Sequence, residues 1–178
     1  IDALTHAGYA VYTIDHRDVF VSSDAHRPVD QLTLPPGIDR TVVREIELSV
    51  DGRRFQGYRV ASRQPARAVL FMTGNGYGAP AALARVAAHF HDERTDVYAV
   101  SYMQPSEDKP LVGQVFAMAS ALADHAAKSS VLPKEKVIAV GHSLGGWVTM
   151  HLASEDRVGC AVVVGSGTTA RATAERIL

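Results

Sequence analysis

The stretch KVIAVGHSLGG, Lys136 to Gly146, decides how this chain is read. Its first half, Lys136 to Val140, is a short apolar run rich in β-branched residues, the pattern of a strand buried on both faces. Its second half contains G-x-S-x-G, with Ser143 between Gly141 and Gly145, and residues 143–154 then fit a helix. A serine at the apex of so sharp a strand-to-helix turn sits in strained backbone. The residues two before and two after approach so closely that a side chain would clash, which glycine avoids. The turn lifts the Ser143 hydroxyl above the carboxyl edge of the sheet, where open α/β folds bind ligands. The helix behind it points free N–H groups at the same spot and favours negative charge there. Ser143 is therefore the candidate nucleophile.

Moving upstream, Ala68 to Thr73 (AVLFMT) is a second buried strand, followed by Gly74-Asn75-Gly76-Tyr77-Gly78 and a helix opened by Pro80 that runs to His89 or Phe90. Val97 to Tyr102 is another strand, Met103 to Pro110 a loop, and Leu111 to Lys128 a long helix with apolar residues near a 3.6 period. Downstream, Gly159 to Gly165 (GCAVVVG) is a strand, and Thr168 to Leu178 begins a helix. Strands alternating with helices imply right-handed βαβ units and a mostly parallel sheet with helices on both faces. Before this, Val42 to Val50 and Arg53 to Ala61 flank Asp51-Gly52, whose tolerance of positive φ predicts a tight hairpin. Residues 1–40 read as an N-terminal extension, with short strands at Ala10 to Ile14 and Val19 to Ser22, and residues 41–178 as the α/β domain.

Acyl transfer through Ser143 needs donors aimed at the oxyanion of a tetrahedral intermediate, usually two backbone N–H groups. One is expected from Leu144, the residue after the serine. The other is expected from the loop after the strand that precedes the first sheet-covering helix, here residues 73–78, whose glycines leave amides unobstructed.

Taken together, residues from about Val42 to Leu178 resemble the amino-terminal two-thirds of an α/β-hydrolase. The hairpin resembles its first two strands, TGNGYG the oxyanion loop after its third, and VYAVSY its fourth. KVIAVGHSLGG resembles the fifth strand and nucleophile elbow, and CAVVVGSG the sixth strand. The elbow is a specific match; the oxyanion loop is looser, with Thr73 where many members carry histidine. The resemblance implies a serine hydrolase of esterase or lipase type acting on a small-molecule ester or related acyl bond. Ser143 becomes the nucleophile and Leu144 and Asn75 the backbone oxyanion donors, with Gly76 an equal alternative to Asn75. No metal or organic cofactor is implied.

The family order is nucleophile, then acid, then histidine. Only 35 residues follow Ser143, and no histidine occurs after His151, so the expectation is a fold truncated after the sixth strand. The acid and histidine would lie beyond this chain, which alone is expected to be inactive. Among earlier histidines, His142 should point away from Ser143, His125 beside Asp124 is read at a solvent face, and the Asp15-His16 pair would require a rearranged topology. Glu175 is the one acid after the sixth strand.

Other readings compete. Gly74-x-Gly76-x-x-Ala79 also satisfies the loose dinucleotide fingerprint, but the following strand has Asp96 at the wrong end to bind a ribose. A catalytically idle hydrolase fragment is the third possibility. His89-x-His91-Asp92-Glu93 has metal-ligand spacing yet falls at a polar helix end with no second cluster. The arginines from Arg40 to Arg67 are interspersed with acids and read as a solvated sheet face.

Composition sets the frame. The 178 residues are 47% hydrophobic and 21% charged with a net charge of −1, ordinary for a globular domain and without a global field to draw in nucleic acid. No apolar stretch nears the roughly 18 residues needed to span a bilayer. No basic-then-apolar leader opens the chain, which slightly favours a cytoplasmic location. The single cysteine, Cys160, lies in an apolar run and reads as a core residue. A sheet lacking its last strands would leave an uncovered edge through which the chain could associate.

Overall fold

A computed structural model describes residues 26–74, 77–102 and 110–165. The hairpin comes first, with β1 (Val43–Val50) and β2 (Arg53–Val60) paired antiparallel. Asp51 and Gly52 at its tip have φ of 50° and 74°, the two positive values that a type I′ turn requires. The parallel part follows: β3 (Arg67–Met72), α1 (Ala79–Phe90), β4 (Thr95–Val100), α2 (Val112–Ser129), β5 (Val137–His142), α3 (Gly145–Ser154) and β6 (Cys160–Val164). The strand order is β1-β2-β4-β3-β5-β6. β2 meets β4 antiparallel, and β4, β3, β5 and β6 are parallel to one another.

The alternation of side chains along β3 builds two cores. Ala68, Leu70 and Met72 face α2 and α3, where they join Met118, Leu122, Val148 and Leu152. Val69 and Phe71 face α1 and join Leu83, Val97, Ala99 and Val140. Both faces of the central strands are thus covered by helices, as the apolar runs require. Leu32 is buried in the α1-side core and Val29, Leu34 and Ile38 pack against it, so the described part of the segment before the hairpin lies on the sheet. The predicted strands between Ala10 and Ser22 and the helix from Thr168 lie outside the described residues.

Three local readings change. β4 starts at Thr95, earlier than the apolar run from Val97, because Thr95 and Asp96 are buried and satisfied by side-chain partners instead of being excluded by their polarity. Asp96 accepts from the Arg59 guanidinium, at 2.7 Å, from the Ser62 amide and hydroxyl, and from the Ser130 hydroxyl. Arg59 therefore departs from the solvated face read for the hairpin arginines. Cys160 is exposed, not core: it lies on β6, whose outer edge pairs with no described strand. Val162, Val163 and Val164 are exposed on the same strand. No described helix is long and apolar enough to cross a membrane.

Candidate active site

Within the parallel strands, β3 leads through α1 on one face to β4, and β5 leads through α3 on the other face to β6. The chain thus departs in opposite directions from two adjacent strands, the switch point at whose carboxyl edge open α/β sheets bind ligands. Ser143 follows β5 and the loop from Thr73 follows β3, so the two segments singled out by their sequence face one another at this switch point.

Ser143 has φ of 52°, in the left-handed region that a side chain rarely adopts, and α3 begins at Gly145 rather than at the serine itself. The neighbouring glycines are demanded by their surroundings. A Cβ on Gly141 would lie 2.3 Å from the Gly145 carbonyl oxygen and 2.4 Å from Thr149 Oγ1. One on Gly145 would lie 2.1 Å from the Met72 carbonyl oxygen and 2.5 Å from that of Thr73. The turn is wedged against the end of β3, and only hydrogen fits at either point.

The serine is pinned from both sides. Its amide donates to the Val164 carbonyl at 2.9 Å, and its carbonyl accepts from the Gly146 amide at 2.9 Å. The Trp147 amide donates to Leu144, so the Leu144 and Gly145 amides precede the first bonds of the helix. Leu144 is buried, and its side chain belongs to the core under α2 and α3. Asn75 and Gly76, the alternatives for the second oxyanion donor, lie outside the described residues, as do Glu107, Asp108 and Lys109 of the loop before α2.

On the flanks of that loop, Thr73 and Gly74 are buried. The Thr73 carbonyl accepts from the Tyr102 hydroxyl at 2.8 Å, and burial pushes the tyrosine pKa up, so the group remains a donor. Ser101 Oγ accepts from the Ala79 amide at 2.8 Å and so takes up the first amide of α1. That amide belongs to the last position of the dinucleotide fingerprint. The parallel strands also run 2-1-3-4 when numbered among themselves, not in the 3-2-1-4 order of dinucleotide-binding halves.

The histidines sort by contact. His142 Nδ1 lies 3.0 Å from the Tyr77 hydroxyl. His151 stacks on Phe116, with ring centroids 4.4 Å apart, along α3 and away from the turn. His125 is not at the solvent face: it is half-buried, edge-on to Tyr98 and within 3.2 Å of Ser129 Oγ. Burial first, and the charges of Arg59 and Lys128 after it, lower its pKa. His91 Nδ1 lies 2.9 Å from the Thr95 carbonyl oxygen, Asp92 pairs with Arg67, and no group of three or more potential ligands forms a metal site among the described residues. Asp15, His16 and Glu175 fall outside the described residues. Tyr77, Ser101 and Tyr102 are not marked by the sequence, since their partners His142, Ala79 and Thr73 lie far along the chain and no spacing announces such contacts.

No protein-family model matches the chain, and no curated protein matches it in sequence. Solved structures do. The α/β-hydrolase GrgF from Penicillium sp. sh18 is similar with a TM-score of 0.60 at 18% identity, over 70% of this chain and 46% of that one. An α/β-hydrolase from Vibrio vulnificus is similar at 0.55 and 19%, over 70% of this chain and 44% of that one. The ester-hydrolase EH1AB1 from the metagenome of Lake Arreo is similar at 0.57 and 13%, over 80% and 49%. The chain spans under half the length of each of these structures. Its hairpin, parallel strands and covering helices have the α/β-hydrolase fold, over part of that fold's length.

Proposed function

We propose that this chain is the nucleophile-bearing part of a serine hydrolase that cleaves a carboxylic ester or related acyl bond. The observation that carries the reading is the backbone of Ser143: a positive φ, on a turn squeezed between glycines, at the switch point of the sheet. Strain of this kind persists only where surrounding structure imposes it, and it clusters at reactive positions. In this reading Ser143 attacks the substrate carbonyl. The amides of Leu144 and Asn75 hold the oxyanion, and water releases the acyl-enzyme. The histidine that takes the serine proton, and the acid that orients it, are assigned to positions beyond this chain. Residues 41–178 form the partial hydrolase domain, and residues 1–40 an extension.

The ester-hydrolase EH1AB1 was solved with a phosphonate derivative, which suggests the probe. A fluorophosphonate should label Ser143 slowly but measurably, because an incomplete triad retains roughly a 10³- to 10⁴-fold advantage over water from the oxyanion hole and binding together. Ser143→Ala should abolish labelling and leave the circular dichroism spectrum unchanged. Equal labelling in that variant would sink the assignment. Hydrolysis of a simple activated ester by the 178-residue chain should be negligible, since triad members act as a unit. Robust turnover would show instead that the base lies within it.

A further inference from the structure

The geometry points to Tyr77 and His142 as positioning residues that clasp the described flanks of the loop after β3, Gly74 and Tyr77, onto the serine turn. This rests on the hydrolase reading of Ser143.

Three observations converge. The Tyr77 hydroxyl reaches His142 Nδ1 at 3.0 Å, across 65 residues of sequence, and joins the segment after β3 to the segment after β5. Gly74, at the other end of the same short loop, is packed on the same imidazole. A Cβ there would lie 3.0 Å from His142 Nδ1, 3.2 Å from Tyr77 Cε1 and 3.3 Å from the His142 carbonyl oxygen. The His142 ring thus sits between the two described flanks of residues 75–76, touching one by packing and the other by a hydrogen bond. On Tyr77 itself, the Arg85 guanidinium of α1 lies 5.2 Å from the ring centroid, a cation–π contact that fixes the ring's orientation.

His142 is the residue next to the serine, so whatever fixes its side chain is registered directly to the nucleophile. A loop that offers a backbone donor needs its amide held within a fraction of an ångström of the developing oxyanion. Glycines supply the freedom to reach that position and nothing to hold it. The clasp holds the two flanks from which such an amide is suspended, Gly74 and Tyr77. With Nδ1 engaged by the tyrosine hydroxyl, His142 is a strut rather than the base that activates Ser143.

Two readouts on the full chain test this. The first is ¹⁵N NMR of the His142 ring together with amide exchange at Tyr77 and Gly78. Tyr77→Phe should move the Nδ1 resonance and speed exchange about 5- to 10-fold, as expected for one lost hydrogen bond. His142→Ala should speed exchange equally. His142→Asn, whose amide reaches about as far as Nδ1, should restore protection. The second is the rate of Ser143 phosphonylation, in which Oγ bonds to phosphorus, fluoride leaves, the hydroxyl proton passes to water and the phosphoryl oxygen takes the oxyanion site. Tyr77→Phe should lower the maximal rate about 10-fold or more with little change in half-saturation, since misplacement of a donor costs rate rather than binding. An unchanged resonance and unchanged exchange in Tyr77→Phe overturn the clasp. Altered exchange with an unaltered labelling rate overturns its positioning role. A wild-type Ser143 inert to the probe, with the resonance responding as expected, overturns the hydrolase reading and supports the clasp.

Discussion

Glycines 141, 145 and 113 look alike in the sequence and differ completely in what they face. Beside Ser143, the position of a Cβ on Gly145 is occupied by the Met72 and Thr73 carbonyls, both backbone and neither able to yield without moving β3. Gly145→Ala is therefore expected to cost about 1–3 kcal/mol, the usual penalty of overpacking, and to displace the serine. Urea unfolding would show the loss, and phosphonate labelling would fall with it. Gly113, in the first turn of α2, has nothing within 4 Å of an added methyl. Gly113→Ala should stabilise by about 0.5 kcal/mol through helix propensity alone, in the same assay. The G-x-S-x-G pattern makes the need for glycine at 141 and 145 legible in the sequence. It does not supply the identity of the wall, because the end of β3 is far from the turn along the chain.

Among the elements, α2 ends in a way its sequence does not announce. The Leu132 amide donates to the Ala127 carbonyl and the Val131 amide to that of Lys128, a Schellman-type closure with Val131 at φ of 52°. Glycine is the usual occupant of that position, and a β-branched side chain there costs about 1–2 kcal/mol. Val131 is also 89% exposed and gains almost nothing from burial. Val131→Gly should raise stability by about 1 kcal/mol, the relief of strain being offset in part by the freer unfolded chain, and a higher thermal midpoint would register it. A fall in midpoint would mean that the valine side chain has a partner. The hairpin shows the opposite case. Asp51-Gly52 supplies the two positive φ values its turn needs, so local chemistry and final structure agree, and β1 and β2 are legible in the sequence to within a residue.

Across the whole molecule, a buried carboxylate adds a polar tie between β4, the hairpin and the end of α2 to their strand pairing and apolar packing. Asp96 of β4 is buried and gathers Arg59 of β2, Ser62 just beyond that strand, and Ser130 at the end of α2. Burial pushes its pKa up, but the hydrogen bonds from Ser130 and Ser62 and the charge of Arg59 outweigh that and hold it below the ordinary 3.8. The folded state thus favours the carboxylate. Its contribution is complete above the ordinary aspartate value and is lost as the pH falls through the depressed one. Acid unfolding of the wild type should therefore sharpen below about pH 4. Asp96→Ala should cost about 3–5 kcal/mol at neutral pH, because Arg59 is left without its counter-charge, and should flatten that part of the profile. Denaturant titrations at a series of pH values would measure both effects.

By itself the sequence determined the hairpin, the order of strands and helices, and the turn that holds Ser143. Each is written in local terms: a period of apolar residues, a turn dipeptide, glycines two positions either side of a serine. Tertiary structure alone decided which strands neighbour one another and hence that the loop after β3 meets the turn after β5. It also decided that Asp96 lies buried within β4 rather than ahead of it, that Cys160 is exposed at the edge of the described sheet rather than core, and that Tyr77 reaches His142. These depend on pairings between distant segments, and a side chain's environment there is set by its partners rather than by its neighbours in the chain.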